Sequence, residues 1–259
     1  MVKDCLYVSV VQSKILWNRV GENLASIESF LEDAAPADLI VLPEMFATGF
    51  VADALPPEQE TSGILDWMRR LSQRTGAAVT GSVTVSEAGD RYNRLFFVSP
   101  EGEIGMYDKR HLFCQSLEPR LYRSGNALPI FHCAGWKICP QICYDLRFPV
   151  WSRNRFENGE YKYDLLLYVA NWPEARVEVW NTLLAARAIE NQCFVAGCNC
   201  VGVDTLGHRY SGASQIVGPT GRVLERATAS QPQVISATLS LPKLEGFRTT
   251  FPVGNDWDR

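Results

Sequence analysis

The 259-residue sequence lacks several features that would assign it to a familiar class of protein. It contains no apolar run approaching the roughly 18 residues of a membrane span, so we expect no membrane-spanning segment. It has no basic excess, because 25 lysines and arginines stand against 29 aspartates and glutamates and the net charge is -4. A nucleic-acid partner is therefore not expected, since such proteins usually carry a strong positive charge.

Histidine is scarce, and the cysteines are not arranged as metal ligands. Only three histidines occur, none of them at ligand spacing, and the eight cysteines include no CxxC pair. We therefore expect no metal site. The N-terminus shows no signal-peptide pattern, which favours a cytoplasmic location in which thiols stay reduced. Most of the cysteines are interpreted as small buried hydrophobic residues.

Strand-like and helix-like segments alternate along the chain. Helical periodicity marks residues 20–34, 64–71 and 178–192. Short apolar runs predict strands over residues 6–11, 38–42, 77–85, 95–98, 135–143, 164–169, 193–198, 215–217, 222–224 and 234–239. The tail from Pro242 has neither pattern and is predicted to be irregular.

The pattern indicates an α/β fold with two similar halves. Two of the apolar runs begin with an aspartate, Asp38 and Asp164, and each leads into a turn that contains proline. No linker rich in glycine or serine separates them, so residues 1–259 are interpreted as a single domain. Two sheets packed face to face with helices outside suit this pattern. A dinucleotide-binding fold is the alternative, but no GxGxxG follows an early strand.

Three reactive side chains follow predicted strands, and strand ends are where α/β proteins bind ligands. Glu44 follows Val-Leu-Pro, where partial burial would suit a general base; the alternative is a helix cap or a solvated loop residue. Lys109 would donate to a developing oxyanion, although a solvated charge run has the same composition. Cys143 lies between a predicted strand and a predicted helix at 149–155. A thiol at such an elbow is exposed beside backbone N–H groups, and the alternative is a buried structural cysteine.

Taken jointly, these segments resemble the nitrilase, or carbon–nitrogen hydrolase, superfamily. Its Glu-Lys-Cys triad is matched in order by Glu44 in Leu-Pro-Glu, Lys109 in Tyr-Asp-Lys-Arg-His-Leu-Phe and Cys143 in Cys-Tyr-Asp-Leu-Arg-Phe-Pro. The resemblance extends from Tyr7 to Leu241 and includes Ala-Asn-Trp-Pro at 170–173. Within the superfamily, the segments around the lysine and the cysteine are most similar to those of bacterial omega-amidases.

The resemblance implies a four-layer α-β-β-α sandwich, usually paired into a homodimer or higher homo-oligomer, and neither a metal nor an organic cofactor. It implies a cysteine-dependent amidase in which Glu44 is the general base and Cys143 forms a thioester. Lys109 and the backbone N–H of Tyr144 would stabilise the oxyanion. A second glutamate is implied on the loop after the lysine, and Glu118 occupies that place, although the next residue is a proline that departs from the superfamily pattern.

The same resemblance implies a substrate. An omega-amidase removes the terminal amide of a small 2-oxo dicarboxylate monoamide, such as 2-oxoglutaramate, and the far carboxylate needs a cation. Arg147 is the predicted partner because its planar fork suits a carboxylate, and a structural ion pair is the alternative role. Arg176 is a further candidate cation, and Phe46 and Trp172 are predicted to wall the pocket. The alternatives for the whole protein are a sister amidase acting on deaminated glutathione or another small amide, and a binding protein with a dead site.

Overall fold

The computed structural model describes residues 2–50 and 58–258, in which sixteen strands and five α-helices follow one another. The strands of the first half of the chain are β1 (Cys5–Gln12), β2 (Leu39–Val41), β3 (Ala78–Glu87), β4 (Asp90–Val98) and β5 (Ile104–Asp108). Those of the second half are β6 (Phe131–Cys133), β7 (Trp136–Ile142), β8 (Phe156–Glu157), β9 (Glu160–Tyr161), β10 (Leu165–Ala170), β11 (Phe194–Asn199), β12 (Val201–Val203), β13 (Arg209–Ser211), β14 (Gln215–Val217), β15 (Val223–Arg226) and β16 (Gln233–Ser240).

Two six-stranded sheets hold most of these strands. Their orders are β16-β1-β2-β3-β4-β5 and β15-β14-β11-β10-β7-β6. The centre of each sheet is parallel, with β2 between β1 and β3 in the first and β10 between β7 and β11 in the second. β8 pairs with β9 and β12 with β13 as two separate short hairpins.

The three longest helices cover the outer faces of the sheets. The α-helices are α1 (Val20–Glu32), α2 (Glu58–Thr75), α3 (Glu118–Leu121), α4 (Val177–Asn191) and α5 (Leu241–Thr250), with 3-10 turns at Cys143–Arg147, Glu174–Arg176 and Val253–Asp256. In the first outer layer, Ile27 of α1 and Met68 of α2 pack on one sheet. In the second outer layer, Trp180 and Leu184 of α4 pack on the other sheet. No helix among the described residues is both long and apolar enough to span a bilayer.

Strands buried on both faces explain the continuous apolar runs of the sequence. Along β10, Leu165 and Leu167 point into the core between the two sheets, while Leu166 and Tyr168 point into the layer beneath α4. The inner core contains residues of both sheets, and helices cover both outer faces. The predicted four-layer α-β-β-α sandwich is therefore confirmed.

The two aspartates that precede the buried strands have matching positions in the two halves. Asp38 accepts the backbone N–H of Tyr7 at 2.9 Å, and Asp164 accepts that of Lys137 at 3.1 Å. Each carboxylate thus joins the start of one central strand to its parallel neighbour. The prediction of two similar halves has this local counterpart in the structure.

Two local predictions are wrong. Residues 149–155 are not helical, because the helical segment is the 3-10 turn that starts at Cys143 itself and gives way to hydrogen-bonded turns. The tail from Pro242 is not irregular but forms α5, in which Ser240 caps the N-terminus and Pro242 lies in the first turn. The buried Arg248 of this helix donates to Asp164 at 2.8 Å and so fixes the tail to the second sheet.

Candidate active site

Strand ends from both sheets meet at one edge of the sandwich. Glu44 lies just beyond β2, Lys109 directly follows β5, and Cys143 directly follows β7. Asn171 directly follows β10, and its backbone N–H reaches Glu44 Oε2 at 2.8 Å across the two sheets. The parallel centre of each sheet sends these chain ends to the same edge, where the topology of such folds favours binding.

Lys109 lies between two buried carboxylates. Its Nζ donates to Glu44 Oε1 at 2.9 Å and to both oxygens of Glu118, at 2.7 and 3.0 Å. The lysine side chain is 1% exposed and the two glutamates are 0% and 4% exposed. The ammonium is therefore held in one place away from bulk water, where its charge acts most strongly.

Other donors fix the orientation of the two glutamates. Asn93 Nδ2 donates to Glu44 Oε1 at 2.7 Å, and the backbone N–H of Phe113 donates to Glu118 Oε2 at 2.6 Å. Glu118 opens α3, with Pro119 in the first turn, where proline is tolerated because its missing N–H would have no helical partner. The proline that departs from the superfamily pattern thus suits the local helix.

Cys143 sits on a strained elbow between β7 and the 3-10 turn. Its φ is 45°, in the left-handed region that side chains other than glycine rarely adopt. The residue is partly buried, and its Sγ lies 4.0 Å from the carbonyl oxygen of Asn171. The strain aims the thiol at the space beside Glu44 and Lys109 rather than into the sheet.

The cluster shifts the proton affinity of all three groups. Burial raises the pKa of the Cys143 thiol well above its usual range, and Glu44 adds to this while Lys109 opposes it. Burial also raises the pKa of Glu44, again against the effect of Lys109. Burial would lower the pKa of Lys109, but Glu118 and Glu44 outweigh it and hold that pKa well above its ordinary value. The resting thiol is thus protonated beside a carboxylate able to take its proton.

The residues after Cys143 are tied down by one buried side chain. Asp145 accepts from the Tyr107 hydroxyl at 2.7 Å, from the Ile142 backbone N–H at 3.0 Å, and from the backbone N–H and Nδ1 of His111 at 2.9 and 2.8 Å. Tyr144 is therefore held in the first helical turn, where backbone N–H groups have no partner within the helix. The Tyr144 N–H thus belongs to a fixed turn directly after Cys143, and its role as an oxyanion donor stays a prediction.

Two guanidinium groups lie over aromatic rings in segments that adjoin the site. Arg147 lies over the ring of Trp172, 5.2 Å from its centroid, and Arg176 lies over the ring of Phe113 at 5.3 Å. Trp172 is 3% exposed and donates its indole N–H to the carbonyl of Arg176 at 2.8 Å. In the described part of the chain, no carboxylate oxygen comes within 4.0 Å of either guanidinium. The alternative of a structural ion pair for Arg147 thus lacks a carboxylate among these residues.

Phe46 is placed elsewhere than predicted. It is fully buried in the layer beneath α1 and α2, where its ring centroid lies 5.9 Å from that of Trp67. Phe50, four residues later, is the aromatic residue near the site, with its ring centroid 5.8 Å from Lys109 Nζ. The strand exit turns the chain so that the first phenylalanine enters the core, which corrects the pocket-wall assignment of Phe46.

Several residues at the site were not identified from the sequence. Asn93 faces Glu44 from within β4, an amide in a predicted strand without any distinguishing neighbour. Asp145 and Asn171 lie in Cys-Tyr-Asp-Leu-Arg-Phe-Pro and Ala-Asn-Trp-Pro, two segments that carry the family resemblance, and that resemblance was the available signal. No group of three or more His, Cys, Asp or Glu able to hold a metal ion occurs among the described residues.

A thiol, a carboxylate and an ammonium converging at one edge of a double-sheet sandwich are typical of thiol-dependent hydrolases. Comparison with known proteins gives the family. A model described as carbon-nitrogen hydrolase matches residues 7–249. This chain belongs to the carbon–nitrogen hydrolase family, and the resemblance stated from the sequence is confirmed.

Individual relatives cover nearly the whole chain. The omega-amidase YafV of Yersinia enterocolitica is 44% identical over 254 residues, which is 98% of this chain and 97% of the relative. The 2-oxoglutaramate amidase of Bacillus subtilis is 36% identical over 256 residues, with 96% of each covered. The crystal structure of XC1258 from Xanthomonas campestris, a CN-hydrolase superfamily protein with an arsenic adduct in the active site, superposes with a TM-score of 0.93 at 40% identity and covers 99% of this chain and 98% of that one.

Proposed function

We propose that this protein is an omega-amidase that converts 2-oxoglutaramate to 2-oxoglutarate and ammonia. One observation carries the substrate class: two guanidinium groups, Arg147 and Arg176, lie over aromatic rings of segments that adjoin the thiol–carboxylate–ammonium centre. Neither has a carboxylate partner among the described residues. A dicarboxylate monoamide brings its amide to the thiol and its far carboxylate to such a cation. The similarity to relatives named omega-amidase and 2-oxoglutaramate amidase supports the same choice.

The proposed acylation begins with a proton transfer inside the buried cluster. Glu44 takes the proton of the Cys143 thiol as the sulfur attacks the amide carbon. The carbonyl oxygen becomes an oxyanion that accepts from Lys109 Nζ and from the backbone N–H of Tyr144. A donor of this kind is typically worth about 3–4 kcal/mol in the transition state. Glu44 then passes the proton to the nitrogen, and ammonia departs from the thioester.

Deacylation uses the same groups with water. Glu44 takes a proton from the water that attacks the thioester carbon, and the proton returns to the departing thiolate as the acid leaves. Glu118 does not exchange a proton in this scheme. It holds Lys109 through two hydrogen bonds, so that the ammonium stays aimed at the oxyanion while Glu44 changes its charge.

The raised pKa of Glu44 predicts the acid side of the pH profile. The carboxylate accepts a proton only when ionised, and burial keeps it protonated to higher pH than an ordinary glutamate. We therefore expect kcat/KM to rise with pH through a midpoint above the usual value of about 4.3. The far carboxylate of 2-oxoglutaramate is already ionised there. Circular dichroism at each pH separates titration from unfolding, and a midpoint at or below 4.3 contradicts the assignment of Glu44.

The guanidinium of Arg147 is expected to select the second carboxylate. Arg147→Lys keeps a positive charge over Trp172 but loses the bidentate fork. A charge-assisted pair is worth about 1.5–3 kcal/mol, so kcat/KM for 2-oxoglutaramate falls roughly ten- to a hundred-fold. For a neutral short primary amide we expect kcat/KM to be the same in Arg147→Lys and in the wild type. The control is Arg69→Lys on the outer helix α2, whose arginine pairs with Asp66 at 2.6 Å and lies outside the site.

The same comparison decides between an omega-amidase and a sister amidase of the same family. An equal fall for both substrates makes Arg147 a structural residue. A wild-type enzyme that prefers the neutral amide contradicts the omega-amidase function and leaves a sister amidase, acting on deaminated glutathione or another small amide. A screen of ammonia release over a panel of small amides and one nitrile identifies which.

We also propose that residues 1–259 form one carbon–nitrogen hydrolase domain that pairs into a homodimer or higher homo-oligomer in the cytoplasm. The shared core of the two sheets supports the single domain. The oligomer follows from the family resemblance, and light scattering of the purified protein tests it.

A further inference from the structure

One buried amide beside the active site finds no partner in the part of the chain that the structure describes. The side chain of Asn171 is 6% exposed, and neither its Oδ1 nor its Nδ2 has a hydrogen-bond partner among the described residues. Buried polar groups are nearly always paired, and leaving one unpaired opposes folding. An amide retained in this state is therefore poised for a group that is absent from the free protein.

The neighbouring buried asparagine shows the contrast. Asn199 Oδ1 accepts from the backbone N–H groups of Trp172 and Cys200 at 2.7 and 3.0 Å. Its Nδ2 donates to the carbonyls of Trp172 and Gly212 at 3.0 and 2.7 Å. Asn199 thus has a complete structural role that holds the chain after β10. The side chain of Asn171, at the end of the neighbouring strand β10, has no such role among the described residues.

The backbone of Asn171 lies beside both reactive side chains of the site. Its N–H donates to Glu44 Oε2 at 2.8 Å, and its carbonyl oxygen lies 4.0 Å from Cys143 Sγ. The residue therefore adjoins both the nucleophile and the carboxylate that exchanges the proton. Its position is rigid, because the next residue is bonded to Asn199.

We propose that Asn171 Oδ1 accepts a hydrogen bond from the N–H of the scissile primary amide and turns the leaving nitrogen toward Glu44. The inference rests on the proposed amide hydrolysis. The substrate oxygen is directed to Lys109 and Tyr144, so its nitrogen is left on the side of Glu44 and of Asn171. A primary amide has two N–H groups to satisfy. An N-substituted amide replaces one of them, and an ester has none, so this contact selects unsubstituted amides.

The test compares an amide with an ester of the same acyl group. Asn171→Leu has similar volume but no polar atoms. For 2-oxoglutaramate we expect kcat/KM to fall about ten- to a hundred-fold. For the 5-methyl ester of 2-oxoglutarate, which yields the same thioester but offers no N–H, we expect kcat/KM to stay roughly unchanged. Because deacylation is common to both substrates, the ratio of the two values reports on acylation alone.

A control variant and a second substitution complete the design. Asn181→Leu alters an asparagine on α4 whose Oδ1 accepts from Gln215, and it is expected to leave the ratio unchanged. If Asn171→Leu folds poorly, Asn171→Ala replaces it, and we expect the same change in the ratio of amide to ester kcat/KM. Equal losses for amide and ester in both variants, or no loss for either, overturn the proposal. If the wild type does not cleave 2-oxoglutaramate, the proposed function fails instead, and the ratio is read on any primary amide and methyl ester pair that it does cleave.

Discussion

Replacing Cys143 with alanine is expected to abolish amide hydrolysis while leaving the protein folded. The thiol is the group that bonds to the substrate carbon. Without it no thioester forms, and direct attack of water on the amide is much slower. Alanine keeps the Cβ atom, so the φ of 45° at this position costs the same in both proteins. The melting temperature and the far-ultraviolet spectrum therefore stay close to those of the wild type, and ammonia release is measured at equal concentrations.

The matched control, Cys139, lies on β7, the strand that ends directly before Cys143. Cys139 is fully buried in the layer beneath α4, and burial raises the pKa of its thiol to about 12. Cys139→Ala is expected to lower stability by about 1 kcal/mol through a small cavity and to keep turnover. Wild-type turnover in Cys143→Ala, or equal loss in both variants, would show that this cysteine is not the nucleophile.

Glu44→Gln and Lys109→Met are expected to lower kcat by about two to four orders of magnitude with much smaller changes in KM. Glutamine keeps the size of Glu44 but accepts no proton, and a positioned general base contributes about 10²–10⁴ in rate. Methionine fills the space of Lys109 without a charge for the oxyanion. Both side chains act mainly on the transition state, so the loss appears in kcat. The measurement is steady-state ammonia release over a range of 2-oxoglutaramate concentrations.

Stability distinguishes the two variants. Lys109→Met leaves two buried glutamates facing each other without their shared cation, which opposes folding at neutral pH. Its rates are therefore measured below the thermal transition. Glu44→Gln keeps the Lys109–Glu118 pair and is the safer variant. A rise in KM at unchanged kcat in either one would mean that the residue only binds substrate.

The architecture and the reactive residues were largely readable from the sequence. Apolar runs of a few residues bounded by turn residues indicated strands buried on both faces, and the double-sheet sandwich with outer helices follows from their number. Glu44 and Cys143 were candidates because each follows such a run, and the family resemblance assigned their roles. The same local reasoning failed at the tail, where the cap at Ser240 and the proline after it signalled α5 but the apolar periodicity was too weak to show a helix.

The sequence by itself determined which residue types stand at the strand ends. A strand buried on both faces is a continuous apolar run, so the residue at which the run ends is visible in the sequence. Only the tertiary structure decided which of these strand ends lie next to one another. Lys109 and Glu44 are 65 residues apart along the chain, and Asn171 and Glu44 are 127 apart, yet both pairs are hydrogen-bonded. Tertiary packing likewise put Phe46 in the core and Phe50 beside Lys109. It also left the amide of Asn171 without a partner in residues 2–50 and 58–258, since the pairing of a buried polar group depends on every segment packed around it.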